Sequence, residues 1–151
     1  MIKHALFSID LDLRWQAIAN NDPDQFNFRD DLRGITITLS AFVMPLDEEG
    51  IEPFTRHLVD LRLRAEDEAA TALGLPTTIY EPIVVPRPWG RAVAYYGHDA
   101  GGRQFSYSGT VTANGAISLY MASSTLTERE LMAAMDEMHS RLEFDRTPLS
   151  N

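Results

Sequence analysis

The chain has 151 residues, which is enough for one domain with a sizeable core, and none of them is cysteine. The absence of cysteine excludes disulfides, thiolate catalysis and cysteine-ligated metal sites. Twenty-two acidic residues against 13 basic ones give a net charge of −9, which argues against nucleic acid as a partner. The apolar run Ala5-Leu6-Phe7 is too short for a signal peptide, and no stretch predicts a membrane span, so we expect a cytoplasmic protein.

The first third of the chain predicts strands. Apolar and polar residues alternate most clearly over residues 34–43, and shorter strands are expected at 4–11, 14–19 and 25–29. A helix should then run from Pro53, which suits a first helical position, to Gly74, a natural stop. Its predicted apolar stripe contains Phe54, Leu58, Leu61, Ala65, Ala69 and Ala72. Its solvent-facing side is expected to hold Arg62, Arg64, Glu66, Asp67 and Glu68.

After extended segments at 78–85 and 91–98, the chain predicts a hairpin over residues 105–121. A two-residue turn at Asn114-Gly115 would pair apolar with polar positions. A three-residue loop, Ala113-Asn114-Gly115, instead pairs Val111 with Ile117 and Gly109 with Leu119, and the alternation of side chains favours it.

A capped helix follows the hairpin. Thr127 and Glu130 form a capping box, and Leu126 and Leu131 occupy the positions of a hydrophobic staple. Leu131, Met135, Met138 and Leu142 share one face, which predicts packing of the methionines against the sheet.

The order β-β-β-α-β-β-β-β-α predicts an α+β domain over residues 1–145, with a tail at 146–151. We expect an antiparallel sheet of about six to seven strands flanked by two main helices. This order resembles the PsbP/DcrB-like superfamily, whose sandwich is shared with Mog-type Ran-binding proteins and adaptor chaperones of type VI secretion. The resemblance rests on Trp89-Gly90, the 105–121 hairpin and the ending Leu142-Glu143-Phe144. It implies protein binding without catalysis, and it implies no site residues.

If the three-residue loop holds, small hydroxyl side chains and two aromatic rings share one uncharged sheet face. This face is a candidate platform for a partner protein, with the rings as anchors. A solvated or helix-covered face is the alternative. The residues are Thr36, Thr38, Ser40, Phe42, Ser106, Ser108, Thr110, Ser118 and Tyr120.

The sequence shows no catalytic motif, so we expect no catalytic residue, metal or cofactor. Asp10 and Asp12 could form a carboxylate pair, although surface solvation explains them better. His98 beside Asp99 could be an oriented base. The arginines at 87, 91 and 103 could clamp a carboxylate, but ordinary surface ion pairs would look the same.

Three hypotheses follow, in order of preference. The first is a non-enzymatic adaptor or chaperone that binds a partner protein, such as an effector, and that could also form a homodimer through the sheet. The second is an immunity-type inhibitor of a secreted toxin, whose acidic surface would block a basic active site. The third is a small-ligand binder or enzyme that uses His98 and Asp99.

Overall fold

The structure is a computed structural model that describes residues 1–149. Two helices, α1 (Glu48–Leu73) and α2 (Glu128–Arg141), accompany eleven strands. The strands are β1 (Ile2–Lys3), β2 (Phe7–Ile9), β3 (Gln16–Ile18), β4 (Gln25–Asp30), β5 (Ile35–Val43), β6 (Thr77–Ile79), β7 (Ile83–Arg87), β8 (Gly90–Asp99), β9 (Gln104–Thr112), β10 (Gly115–Ser123) and β11 (Leu142–Phe144).

Eight of these strands form one large antiparallel sheet in the order β3-β4-β5-β10-β9-β8-β6, and β7 also pairs with β8. The predicted α+β class, with an antiparallel sheet and two main helices, is confirmed. The large sheet has one or two more strands than expected, and β1, β2 and β11 form a separate three-stranded sheet. Strand β2 is the centre of the strand predicted at 4–11, which is shorter than expected, whereas β1 and β11 have two and three residues, too few to show a clear alternation in sequence.

The two faces of the large sheet are covered by different elements. The face covered by α2 and the small sheet, here the α2 face, carries most of the aliphatic core. Phe7 and Ile9 of the small sheet and Leu131 and Met135 of α2 pack in one cluster with Leu119 of β10. The predicted packing of the methionines is therefore confirmed. On the opposite face, here the α1 face, Tyr95, Phe105 and Tyr107 are buried together with Val93 and Ala122.

The register of the central hairpin differs from the prediction. Gly115 lies opposite Thr112, so the connection is the two residues Ala113 and Asn114, and Leu119 lies opposite Ser108. The predicted three-residue loop is wrong. Both faces of β9 are buried, so its alternation could not indicate which side belongs with the apolar side of β10. Gly115 has φ +135°, and a Cβ there would lie 2.0 Å from the carbonyl oxygen of Phe42.

Helix α1 begins earlier than predicted. The Asp47 side chain accepts a hydrogen bond from the Gly50 amide, which caps the helix before Glu48, and Pro53 lies inside the helix. The end at Gly74, with φ +65°, is confirmed. Across the described residues, no helix combines the length and apolar character that crossing a membrane requires.

The predicted stripe of α1 is also wrong in part. Leu61 is 46% exposed, whereas Glu66 is only 4% exposed and faces the sheet. The residues that α1 buries most completely are Ile51, Thr55 and Glu66. A carboxylate can occupy this position because tyrosine hydroxyls of the sheet supply its hydrogen bonds.

Candidate functional site

A groove of about 640 Å³ lies between α1 and the α1 face of the sheet. We call it the α1 groove. Its walls come from five side chains of α1, and its floor comes from β5, β10 and β9. The lining residues are Thr38, Ser40, Ala41, Phe42, Met44, Phe54, His57, Leu58, Leu61, Arg62, Tyr107, Ala116, Ser118 and Tyr120.

One end of the α1 groove is apolar and open. The rings of Phe42 on β5 and Phe54 on α1 stack with centroids 6.0 Å apart, so they bridge the helix and the sheet. Phe42 is 58% exposed and Met44 is 40% exposed. On the helix side, Leu61 is 46% exposed. Phe42, Met44 and Leu61 thus give the rim of the groove exposed apolar side chains of the kind that proteins use for binding.

The floor in the middle of the groove is lined with hydroxyl groups. Ser40 lies opposite Ser118 in the register of β5 and β10. The Ser118 Oγ is 2.7 Å from the phenol oxygen of Tyr107, which is buried. A Cβ at position 109 would lie 2.8 Å from that phenol oxygen, so Gly109 provides the room for the Tyr107 ring.

The inner end of the groove is charged. The guanidinium of Arg62 lies 5.0 Å from the ring centroids of both Tyr107 and Tyr120. Its Nη2 donates to Glu66 Oε1 and to the Tyr95 hydroxyl, each at 3.2 Å. The Arg62 Nε is buried and has no hydrogen-bond partner among the described residues. A buried donor without an acceptor is costly, because the N–H has lost its hydrogen bond to water.

The phenols at this end are neutral hydrogen-bond donors at neutral pH. Burial raises the pKa of Tyr95 and of Tyr107 above the ordinary value. Burial, followed by the nearby Glu66 carboxylate, raises the pKa of Tyr120 to about 12. Tyr95 and Tyr120 therefore keep their protons and donate to the two carboxylate oxygens of Glu66 at 3.2 and 3.4 Å.

The nine residues of the predicted platform divide between the two faces of the sheet. The register places six of them on the α1 face: Thr36, Thr38, Ser40, Phe42, Ser118 and Tyr120. Ser106, Ser108 and Thr110 lie opposite Met121, Leu119 and Ile117 and belong to the α2 face. The single-face arrangement was wrong because it depended on the hairpin register. The binding role of these residues stays a prediction.

Sequence reasoning missed the residues that α1 contributes to the groove. Arg62 and Glu66 were expected in solvent because charged side chains on a helix usually are. A signal was present, because Ile51, Thr55, Leu58, Arg62 and Glu66 follow one another at intervals of three or four residues. The stripe begins at the buried Ile51 and ends at the Arg62–Glu66 ion pair, so all of it lies on the side of α1 that faces the sheet.

The other candidate residues do not assemble into a site. Asp99 Oδ1 accepts hydrogen bonds from the amides of Gly101 and Arg103, so it holds the turn after β8. His98, adjacent in the same strand, points to the opposite face and lies near Tyr80. Arg91 and Arg103 flank opposite ends of β8 and cannot clamp one carboxylate.

Asp10 and Asp12, the candidate carboxylate pair near the N-terminus, contact different partners. Asp12 accepts from Arg14 at 2.8 Å, whereas Asp10 is exposed and lies 4.0 Å from the terminal amine. Within residues 1–149, no group of three or more histidine, aspartate or glutamate side chains is positioned to hold a metal ion.

Comparison with known proteins gives no family for the chain, since neither a protein-family model nor a curated protein matches it.

Proposed function

We propose that this protein is a non-enzymatic binding module and that a partner protein docks on the open part of its α1 face. The observation that carries this proposal is the incomplete cover that α1 provides. The helix lies over β8 and β9. On β4 and β5, the paired residues Arg29 and Thr36 remain exposed, and Phe42 and Met44 are exposed at the other end of β5 and just beyond it.

The edges of the sheet are less suited to a partner than this face. Strand β3 is only three residues long and offers few backbone groups for an added strand. Strand β7 contains Pro86 and follows Pro82, and proline lacks the amide that a neighbouring strand needs. A partner is therefore expected to contact side chains of the α1 face, with Phe42 and Leu61 as apolar anchors.

The resemblance to the PsbP/DcrB-like superfamily supports the same class of function, because its adaptor and chaperone members bind proteins. The lack of cysteine fits a reducing compartment, and we keep the cytoplasm as the proposed location. An immunity-type inhibitor is the second candidate. The exposed acidic residues Glu48, Glu49 and Glu52 at the start of α1 favour it, since they would attract a basic toxin. Partner binding that did not weaken with salt would count against this second role.

The test is an affinity capture from the source cells with two charged variants of the α1 face. Phe42→Arg and Thr36→Arg should each abolish capture of a stoichiometric partner. Matched controls are Ile83→Arg and Thr78→Arg, which alter an equally exposed isoleucine and threonine on the α2 face. The proposal fails if the wild-type protein captures no partner, or if all four variants capture it equally.

A further inference from the structure

We propose that the inner part of the α1 groove binds a small amphipathic carboxylic acid, with its apolar body between α1 and the sheet and its carboxylate at Arg62. This proposal goes beyond the docking of a partner protein and does not depend on it. It concerns the α1 groove from Phe42 to Arg62, whereas the partner surface also takes in exposed residues of β4 and β5 outside the groove; the two share the apolar side chains Phe42 and Leu61.

The groove has the size and lining that such a ligand needs. Its volume of about 640 Å³ lies within the range of small-molecule pockets. Phe54, Leu58 and Leu61 on the helix and Ala116 on the floor offer contacts to an apolar chain. From Phe42 to Thr38 the groove follows β5 over four residue-to-residue steps, or ~13 Å at ~3.3 Å per step.

The inner end supplies a donor for the carboxylate. Arg62 uses Nη2 for Glu66 and Tyr95, whereas its Nη1 is accessible and has no hydrogen-bond partner within the described part of the chain. A carboxylate oxygen is the strongest acceptor that such a guanidinium N–H can find. The Tyr107 and Tyr120 rings on which the guanidinium lies hold it in place, so little side-chain freedom is lost on binding.

The charge balance at this end favours one negative charge. Of the charged groups in contact with Tyr120, Arg62 and Arg103 carry two positive charges and Glu66 carries one negative charge, which leaves a net charge of +1 around that side chain before a ligand binds. Arg103 donates to the Tyr120 hydroxyl at 2.9 Å and has no ion pair within residues 1–149. A neutral ligand would leave this positive charge uncompensated, so the site should prefer an acid to an alcohol of the same shape.

The test is calorimetric titration of the purified protein with octanoate, and with octanol as the uncharged match. Octanoate is expected to bind about tenfold more tightly than octanol, as the loss of one charge-assisted hydrogen bond predicts. Arg62→Lys keeps a positive charge beside Glu66 but removes the planar guanidinium with its Nη1 donor, so it should weaken octanoate binding by about the same factor. Arg64→Lys, at an exposed position of the same helix, should leave it unchanged.

A second variant covers the case in which Arg62→Lys does not fold. Ser40→Phe adds a ring to the middle of the floor and should prevent octanoate binding while leaving Arg62 intact. The proposal is overturned if wild-type protein binds no octanoate or binds octanol equally well. It is also overturned if the folded Arg62→Lys or Ser40→Phe variant binds octanoate with wild-type affinity. Loss of partner capture in Thr36→Arg, which lies outside the groove, with octanoate binding retained would separate the two sites.

Discussion

Arg62 and Glu66 form an ion pair one turn apart on α1, with 3.2 Å between Nη2 and Oε1, on the side of the helix that faces the sheet. The carboxylate is buried and receives further hydrogen bonds from Tyr95 and Tyr120. The guanidinium lies across two tyrosine rings. A helix usually presents apolar side chains to the sheet on which it packs, whereas α1 presents this ion pair at one position. The α1 groove ends at the ion pair.

Removing one partner of this pair should destabilise the fold strongly. Arg62→Met leaves the Glu66 carboxylate buried without its cation, at a cost of about 3 kcal/mol in the free energy of unfolding. Urea denaturation at neutral pH measures this cost. Arg64→Met on the exposed side should change the free energy by less than about 0.5 kcal/mol. The double variant Arg62→Met/Glu66→Met should recover most of the loss. A single variant as stable as wild type would contradict this account.

The close approach of Gly109 to Tyr107 predicts a non-additive pair of substitutions. Gly109→Ala places a methyl group 2.8 Å from the Tyr107 phenol oxygen and should destabilise the protein by about 1–3 kcal/mol. In a Tyr107→Phe background the same change should cost less, because the crowding oxygen is gone. A double-mutant cycle from denaturation curves gives the coupling energy. Strict additivity would show that the phenol does not limit position 109.

Asp30 should make stability depend on pH in the acid range. Its buried carboxylate accepts from Arg33 Nε at 2.7 Å and from the amides of Leu32 and Arg33. Burial acts to raise the pKa of Asp30, but the Arg33 side chain and these amides outweigh it and hold the pKa below its ordinary value.

A lowered native pKa means that the stabilisation is complete above about pH 4, the ordinary value for aspartate, and is lost as the pH falls through the native pKa. Asp30→Asn should therefore be less stable than wild type at pH 7, and the difference should shrink as the pH is lowered below 4. Thermal unfolding at several pH values measures it. A difference that stayed constant down to pH 2 would argue against this role for the carboxylate.

The contribution of the capping box of α2 to stability can be tested by removing the Thr127 hydroxyl. The Thr127 side chain accepts from the Glu130 amide at 3.2 Å, and Glu130 accepts from the Thr127 amide at 3.1 Å. Thr127→Ala should reduce the free energy of unfolding by about 1 kcal/mol. Ser124→Ala, at an exposed position just before the helix, is the control and should have little effect. Equal midpoints for Thr127→Ala and wild type would exclude the cap as a source of stability.

The sequence by itself determined the elements whose causes lie within a few residues. The start of α2 follows from Thr127 and Glu130, which bond each other three residues apart, and the end of α1 follows from Gly74. Strand β5 follows from the alternation of apolar and polar residues, because one face of the strand is buried and the other is more exposed. The α+β class follows from the order of such elements, because grouped strands pair most readily with their neighbours.

The tertiary structure alone decided what depends on residues far apart in the chain. Both faces of β9 are covered by other elements, so its own alternation did not determine its register with β10. That register places Ser106, Ser108 and Thr110 on the face opposite to the other hydroxyl residues of the predicted platform. The burial of Glu66 depends on Tyr95 and Tyr120, which lie 29 and 54 residues away along the chain. A carboxylate leaves water only where donors from other elements replace its hydration. No local pattern of residues can show that those donors will be there.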